Sequence, residues 1–299
     1  MLIWFPGFAC ESYRRSYGAA SLVVELAKQG VDCTLDPAGN AGKSCDFFLS
    51  MDLVQARAVR AARVAFPKVP WVCYSWDVYP WAAEGRSGNP DTDDRWRGFI
   101  ADLKDAREVW VPSSPQIDRH VQYARLNPTA VRVVKCGVAA KCDVVPWNGG
   151  YVLDPLRDYQ DPGNGMAGAA CARLGVEYRH TAHGLSWEDF KRELAGAAVV
   201  VTTKYEASTG GLSLLEAYAI GKPVVVSDSP WNGARDYFGS RATYFKHDSV
   251  DDLAKKLELV LKYAGPLPAD QISDSRDWVD REYSEDIFAR RIADRLKTL

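Results

Sequence analysis

The chain has 299 residues, 47% of them hydrophobic and 25% charged, with a formal net charge of −2. That length suits about two domains of roughly 150 residues each, and the near-neutral balance excludes an overall electrostatic case for nucleic acid or an anionic membrane. Seven cysteines at 10, 33, 45, 73, 136, 142 and 171 make an odd count without a C-x-x-C pair, so reduced, cytoplasmic thiols are expected in place of a disulfide framework or a zinc site.

The opening Met-Leu-Ile-Trp-Phe-Pro-Gly lacks a basic n-region and a long apolar stretch. It reads as a first buried strand over 2–6, not as a signal peptide. No apolar run reaches the length of a membrane span. Helical spacing follows over 17–29, with Leu22, Val23, Leu26 and Ala27 in register, and stops at Gly30. Strands are expected at 31–35, 46–50, 71–75, 108–112 and 131–136. Helices at 53–66, 95–104 and 115–125 are expected among them. The stretch Gly137–Gly150 breaks this rhythm and reads as a hinge. The pattern then restarts, with strands at 151–153, 176–180, 198–202, 224–227 and 242–245. Helices are expected at 165–174 before Gly175, at 187–194 behind the N-cap Ser186, at 212–220 and at 251–263. A last amphipathic helix over 284–299 carries Ile287, Ile292 and Leu296 on one side. Strands alternating with helices predict an α/β protein built on parallel sheets. Ligands of such sheets bind at the carboxyl ends of the strands.

The most informative stretch is Glu206-Ala-Ser-Thr-Gly-Gly-Leu-Ser-Leu-Leu-Glu216-Ala-Tyr-Ala-Ile-Gly-Lys222, set between the apolar runs 198–203 and 223–228. Strand, Gly-rich loop, helix and strand is the layout of a nucleotide site. Backbone N–H groups at a helix start attract phosphate, and glycine lets the phosphate approach. The backbone of Gly210, Gly211, Leu212 and Ser213 is therefore the expected diphosphate cradle, with Ser208 and Thr209 beside it. Glu216, about one turn into the helix, can accept two hydrogen bonds from a ribose diol. Asp77 follows a strand among Trp76, Tyr79 and Trp81, aromatics that suit the faces of a sugar. The spacing Asp91-Thr-Asp93 lies in a Pro- and Gly-rich polar stretch, so no metal ligand set is assigned. His120, His180, His183 and His247 have no metal-ligand spacing and read as structural. Arg57, Arg60 and Arg63 with Lys68 form a stripe that reads first as a solvated helix face, and second as a phosphate-tracking surface.

The segment Gly211–Asp228 resembles the E-x7-E region of the GT-B glycosyltransferases, specifically the retaining family-4 (group 1) type. Weaker matches at 17–30, Ser75–Pro80, 111–114 and 134–138 arrive in the same order. The resemblance implies two Rossmann-like domains whose parallel sheets face a central cleft. It divides the chain into an acceptor-side domain 1–142, a donor-side domain 143–275, and a C-terminal helix 276–299 packing back on the first domain. Activity is implied as transfer of a hexose from a nucleotide diphosphate sugar, UDP-sugar favoured, to an unknown acceptor hydroxyl, with retention and without cofactor or metal. Glu216 would hold the ribose, Glu206 and Asp77 would lie at the sugar, and Arg157 would neutralise the leaving diphosphate. The chain departs from the family in three places. Nine residues separate Glu206 from Glu216, so either the loop is two residues longer or Ser208 takes the first Glu's place. Trp76 stands where a His is common. The expected diphosphate Lys is absent from 161–165, leaving Lys204 or Arg179 as substitutes. A DNA-modifying transferase of the compact phage type, a nucleotide-sugar hydrolase or epimerase, and a binding module without catalysis stay open as alternatives.

Overall fold

The computed structural model describes residues 1–4, 19–34, 45–51, 53–76, 78, 83–86, 88–138, 150–155, 164–181, 185–204, 211–263 and 269–299. They form two compact units. Unit 1 comprises Met1–Gly137 and Glu285–Leu299, and unit 2 comprises Val138–Ser284. The return to unit 1 thus falls at Glu285, later than the 276 expected from the sequence. The helix Ala269–Tyr283 reaches into that interval and stays with unit 2.

Unit 1 carries a six-stranded sheet: β1 (Leu2–Trp4), β2 (Asp32–Thr34), β3 (Phe47–Ser50), β4 (Trp71–Tyr74), β5 (Glu108–Val111) and β6 (Val131–Val133). The order is β2-β1-β3-β4-β5-β6, and every pairing is parallel. Strands buried on both faces cannot alternate apolar with polar residues, and β3, β4 and β5 are buried at every position. The covering helices are α1 (Ala19–Lys28), α2 (Leu53–Ala65), α3 (Pro90–Leu103) and α4 (Ser114–Tyr123). α3 begins earlier than its apolar spacing alone suggests. Asn89 accepts hydrogen bonds from the Asp91 and Thr92 N–H groups, Pro90 fills the first position, and Asp91 and Asp93 sit in the first turn. The D-x-D pair is therefore a helix-start feature. Arg60 donates to Gly98 O at 3.0 Å and pairs with Asp102, while Arg63 lies 3.4 Å from Asp105. Two of the three arginines of the stripe are thus engaged in tying α2 to the end of α3, which favours the helix-face reading.

Unit 2 carries a five-stranded parallel sheet: β7 (Tyr151–Asp154), β8 (Tyr178–His180), β9 (Ala197–Thr202), β10 (Val224–Asp228) and β11 (Thr243–Lys246), in the order β11-β10-β9-β7-β8. Its helices are α5 (Asn164–Leu174), α6 (Trp187–Gly196), α7 (Leu212–Ala219), α8 (Ala234–Phe238), α9 (Val250–Tyr263) and α10 (Ala269–Tyr283). One core face gathers Val152, Ala167, Cys171, Val199, Val225, Phe245 and Leu257. Tyr218 of α7 meets Trp278 of α10 edge-on at 5.4 Å, so α10 backs the helix that carries Glu216.

Three helices end alike. Gly30, Gly175 and Gly221 have φ of +76°, +65° and +78°. In each case the following N–H reaches five residues back: Val31 to Leu26 O, Val176 to Cys171 O, and Lys222 to Ala217 O. This is the Schellman closure, which needs a left-handed residue. α11 (Glu285–Leu296) ends the chain within unit 1 and packs on α1. Its buried face is Phe288, Ala289, Ile292, Ala293 and Leu296. Ile287, expected on that face, is only partly buried, and Phe288 takes its place against Tyr74 at 5.4 Å. Arg295 holds both carboxylate oxygens of Glu108, with Nε to Oε2 at 2.8 Å, and the Trp110 indole N–H adds a third bond at 2.9 Å. Among the described residues no helix is long and apolar enough to cross a membrane. Among the described residues Cys33, Cys45, Cys73, Cys136 and Cys171 form no disulfide.

Candidate functional site

The parallel pairing of unit 2 aligns the carboxyl ends of its strands along one edge, and those ends are polar. Asp154 closes β7 opposite His180 of β8, Thr202 closes β9 opposite Val226, and Ser227 and Asp228 close β10. Asp154, Thr181, Thr202 and Ser227 are all buried. Among the described residues the Nε2 of His180 and the hydroxyls of Thr181 and Thr202 have no hydrogen-bond partner. A buried hydroxyl left unpaired costs free energy, so this row marks the edge at which a polar ligand would be welcome. Its signal in the sequence was an apolar strand that turns polar at its last residue, as in Val-Leu-Asp154 and Val-Val-Val-Thr202.

α7 starts at this edge. Its N-cap is Gly211, with φ +110° and ψ 120° and no side-chain cap. A residue with a Cβ is strained there, so the helix opens with bare backbone. Leu214, Leu215, Ala217 and Ala219 are buried. Leu212 and Ser213 in the first turn are partly buried. Gly221 ends the helix, and a Cβ at that position would come within 2.7 Å of Ile272 Cγ1 on α10. α7 is therefore bounded by two glycines at positive φ, and at Gly221 a Cβ would also force Ile272 to move.

Glu216 lies in the second turn of this short helix. Burial pushes its carboxyl up to about 8. Among the described residues no hydrogen bond or ion pair reaches it. Desolvation with no partner raises a carboxyl in this way. The arrangement stores an acceptor that two hydroxyl donors would satisfy. A second buried charge flanks the helix end. Lys222 is 2% exposed and its Nζ donates to Ala195 O at 2.6 Å, at the carboxyl end of α6. Burial brings its ammonium down to about 8. The lysine of the Gly-Lys-Pro sequence thus serves the fold, as a cation on the negative end of a helix.

Lys204 follows β9 at the polar edge. Its carbonyl accepts from the Asn232 amide at 3.1 Å, which pins the backbone, and among the described residues its ammonium has no partner. Arg179 is placed differently. It pairs with Glu177 at 2.7 Å, lies 3.8 Å over the Tyr151 ring, and lines a polar pocket of about 360 Å³ with Gly150, Tyr151, Arg192 and Glu193. Tyr151 begins its strand, so this pocket includes the amino end of β7. Asp228 is also engaged, by a two-point bond to Arg235 at 2.7 and 2.7 Å that holds its carboxyl below the usual range. Of the two substitutes for the missing diphosphate lysine, Lys204 has the better position. Glu206, Ser208, Thr209, Gly210, Asp77 and Arg157 lie outside the described residues. Among those described, the chain brings Lys204, Gly211, Leu212, Ser213 and Glu216 together on one strand-to-helix passage. No group of three or more His, Cys, Asp or Glu residues is arranged for a metal among the described residues.

Comparison with known proteins identifies the family of this passage. Residues 170–278, which lie inside unit 2 and include α7, match the family model of glycosyl transferases group 1. No curated protein matches the chain by sequence. Among solved structures, HepE (Alr3699) from Anabaena in complex with UDP-glucose is similar, at 15% identity and a TM-score of 0.70, with 100% of this chain and 99% of that one covered. Sucrose-phosphate synthase from Thermosynechococcus elongatus gives 15% identity, a TM-score of 0.70 and coverage of 94% and 92%. The lipopolysaccharide outer core galactosyltransferase WaaB in its apo form gives 13%, 0.66, and 100% and 99%. The shared architecture is the GT-B fold, two parallel-sheet α/β units.

Proposed function

We propose that this chain, a glycosyltransferase by its group 1 domain and its GT-B fold, transfers a hexose from a nucleoside diphosphate sugar to an acceptor hydroxyl with retention of configuration. The observation that carries the reading is Glu216. It is a carboxyl group withdrawn from water and given no partner among the described residues, one helix turn behind a bare glycine N-cap. A ribose diol supplies the two donors it lacks. The first-turn amides of α7 and the Lys204 ammonium would take the diphosphate, by the attraction of a helix N-terminus for anions. Charge placed there also stabilises the diphosphate as it leaves. The acceptor proton would pass to the leaving phosphate oxygen on the same face, so that no separate base is required. Glu206, Asp77 and Arg157 keep the roles that the resemblance implies for them. UDP is the favoured nucleotide because HepE was solved with UDP-glucose.

Calorimetric titration of UDP, GDP, ADP and TDP into the protein tests the reading. Tight binding by one of the four, UDP foremost, is the expected result. Binding by none would reduce the Gly-rich passage to a turn and remove the proposal. Anomeric analysis of the product by NMR would then report retention, and an inverted product would overturn that part.

A further inference from the structure

Unit 1 carries its own buried polar cluster, which neither the fold nor the donor reading uses. It lies where β5 passes into α4. Ser75, Ser113, Gln116, Arg119 and His120 are each 0% exposed. His120 is fully bonded. Its Nδ1 lies 2.7 Å from Gln116 O, a carbonyl that can only accept, so the ring proton sits on Nδ1. Nε2 is then the acceptor for the Ser75 hydroxyl at 2.7 Å. Burial keeps the ring neutral, its pKa brought down to about 4 with Arg119 adding to the effect. The fixed positive charge of this cluster is therefore the Arg119 guanidinium.

The rest of the cluster departs from how this chain caps α3 and α6. Ser113-Ser-Pro-Gln116 has the spacing of a capping box, in which the N-cap hydroxyl and the third residue's side chain satisfy each other's backbone N–H groups. At α6 the Ser186 hydroxyl accepts from the Asp189 N–H at 3.1 Å, and at α3 Asn89 accepts from Asp91 at 3.0 Å. At α4 the box is open. Ser113 makes no side-chain cap bond, and among the described residues the Ser113 hydroxyl and both polar atoms of the Gln116 amide have no partner. A buried amide left wholly unpaired is costly. This one sits on the first turn of a ten-residue helix, where backbone dipoles favour negative charge, one turn from a buried arginine.

We propose that the first turn of α4 is a binding site for an oxyanion, a carboxylate or phosphate group, with the Ser113 hydroxyl, the Gln116 amide and the Arg119 guanidinium as its donors. Resting on the glycosyl-transfer reading, this oxyanion belongs to the acceptor. Inorganic phosphate and acetate are the probes, each added with UDP saturating the donor site, and thermal unfolding is the readout. One of the two is expected to raise Tm by about 2–4 °C in wild type, and the responding probe tells phosphate from carboxylate. In Gln116→Leu the response is expected to vanish while the Tm without probe stays level or rises, since an unpaired amide has been removed. No response in wild type, an equal response in Gln116→Leu, or a Gln116→Leu protein of markedly lower Tm would each overturn the site, the last because the amide would then be holding structure. UDP titrated alone into wild type reports on the donor reading separately. With UDP-glucose as donor, a sugar phosphate or a uronate is expected to be a better acceptor than the neutral sugar. A neutral sugar preferred over both overturns the assignment to the acceptor.

Discussion

Two glutamates of this chain have been withdrawn from water, one in each unit, and they have been treated in opposite ways. Glu108 starts β5 and is met by Arg295 at both oxygens, by the Trp110 indole and, at 4.0 Å, by Arg132. Burial pushes its carboxyl up, yet these partners bring it below its ordinary value. Glu216 in α7 meets burial with no partner among the described residues and rises to about 8. The first arrangement ties the last helix to the sheet and is complete within the fold. The second has no partner among the described residues, and the proposed ribose would supply one. Burial alone does not mark a site, because Glu108 is buried and Glu216 only partly so. A buried charge-bearing group that the fold leaves unsatisfied does.

The largest effect expected from breaking this contrast is on the satisfied side. Glu108→Gln should lower the unfolding free energy by ~3 kcal/mol, because the Arg295 guanidinium loses its two-point partner. Chemical denaturation measures this, and UDP binding in the same variant should not change. On the unsatisfied side the sign reverses. The folded pKa of Glu216 lies above its unfolded value of about 4.5, so its contribution to stability is present below that value and lost as pH rises through about 8. Glu216→Gln should therefore be the more stable protein at pH 8.5, by about 2 kcal/mol, and lose that advantage near pH 5. Glu108 contributes in the other direction, since its folded pKa is depressed and its stability is lost as pH falls through it. Denaturation curves at three pH values would separate the two.

Smaller effects sharpen the account of α7. Gly221→Ala meets both the positive φ and Ile272, and should cost about 1–2 kcal/mol by thermal unfolding. A loss below a few tenths would mean that α10 yields easily and that the helix is not held as described. Lys204→Ala should weaken UDP binding about 5-fold, the size of one exposed charge-assisted contact. An unchanged affinity would return the diphosphate to other residues.

Much of this frame was legible in the sequence because it is local. Gly30 and Gly175 announced their helix ends because only glycine takes the left-handed closure at little cost, and the run from Gly211 to Asp228 showed a strand, a helix and a strand by its residues alone. The start of α3 was missed because Asn89-Pro90 reads equally as a turn. What could not be read was tertiary. Glu108 and Arg295 are 187 residues apart. Lys222 looks like a turn lysine until its burial against Ala195 is seen. The open capping box of α4 has the spacing of a closed one. The sequence marks Glu216 by its position in a helix, whereas its lack of partners among the described residues is a property of what packs around it.

The most direct test is calorimetric titration of UDP into wild type and Glu216→Gln at pH 6.5 and pH 8.5. If the ribose is held by the ionised carboxylate, wild-type affinity should rise about 20-fold between the two pH values, following a group with pKa about 8, and Glu216→Gln should bind weakly at both. Equal binding by the two proteins, or a wild-type affinity that does not change with pH, would contradict the role given to Glu216.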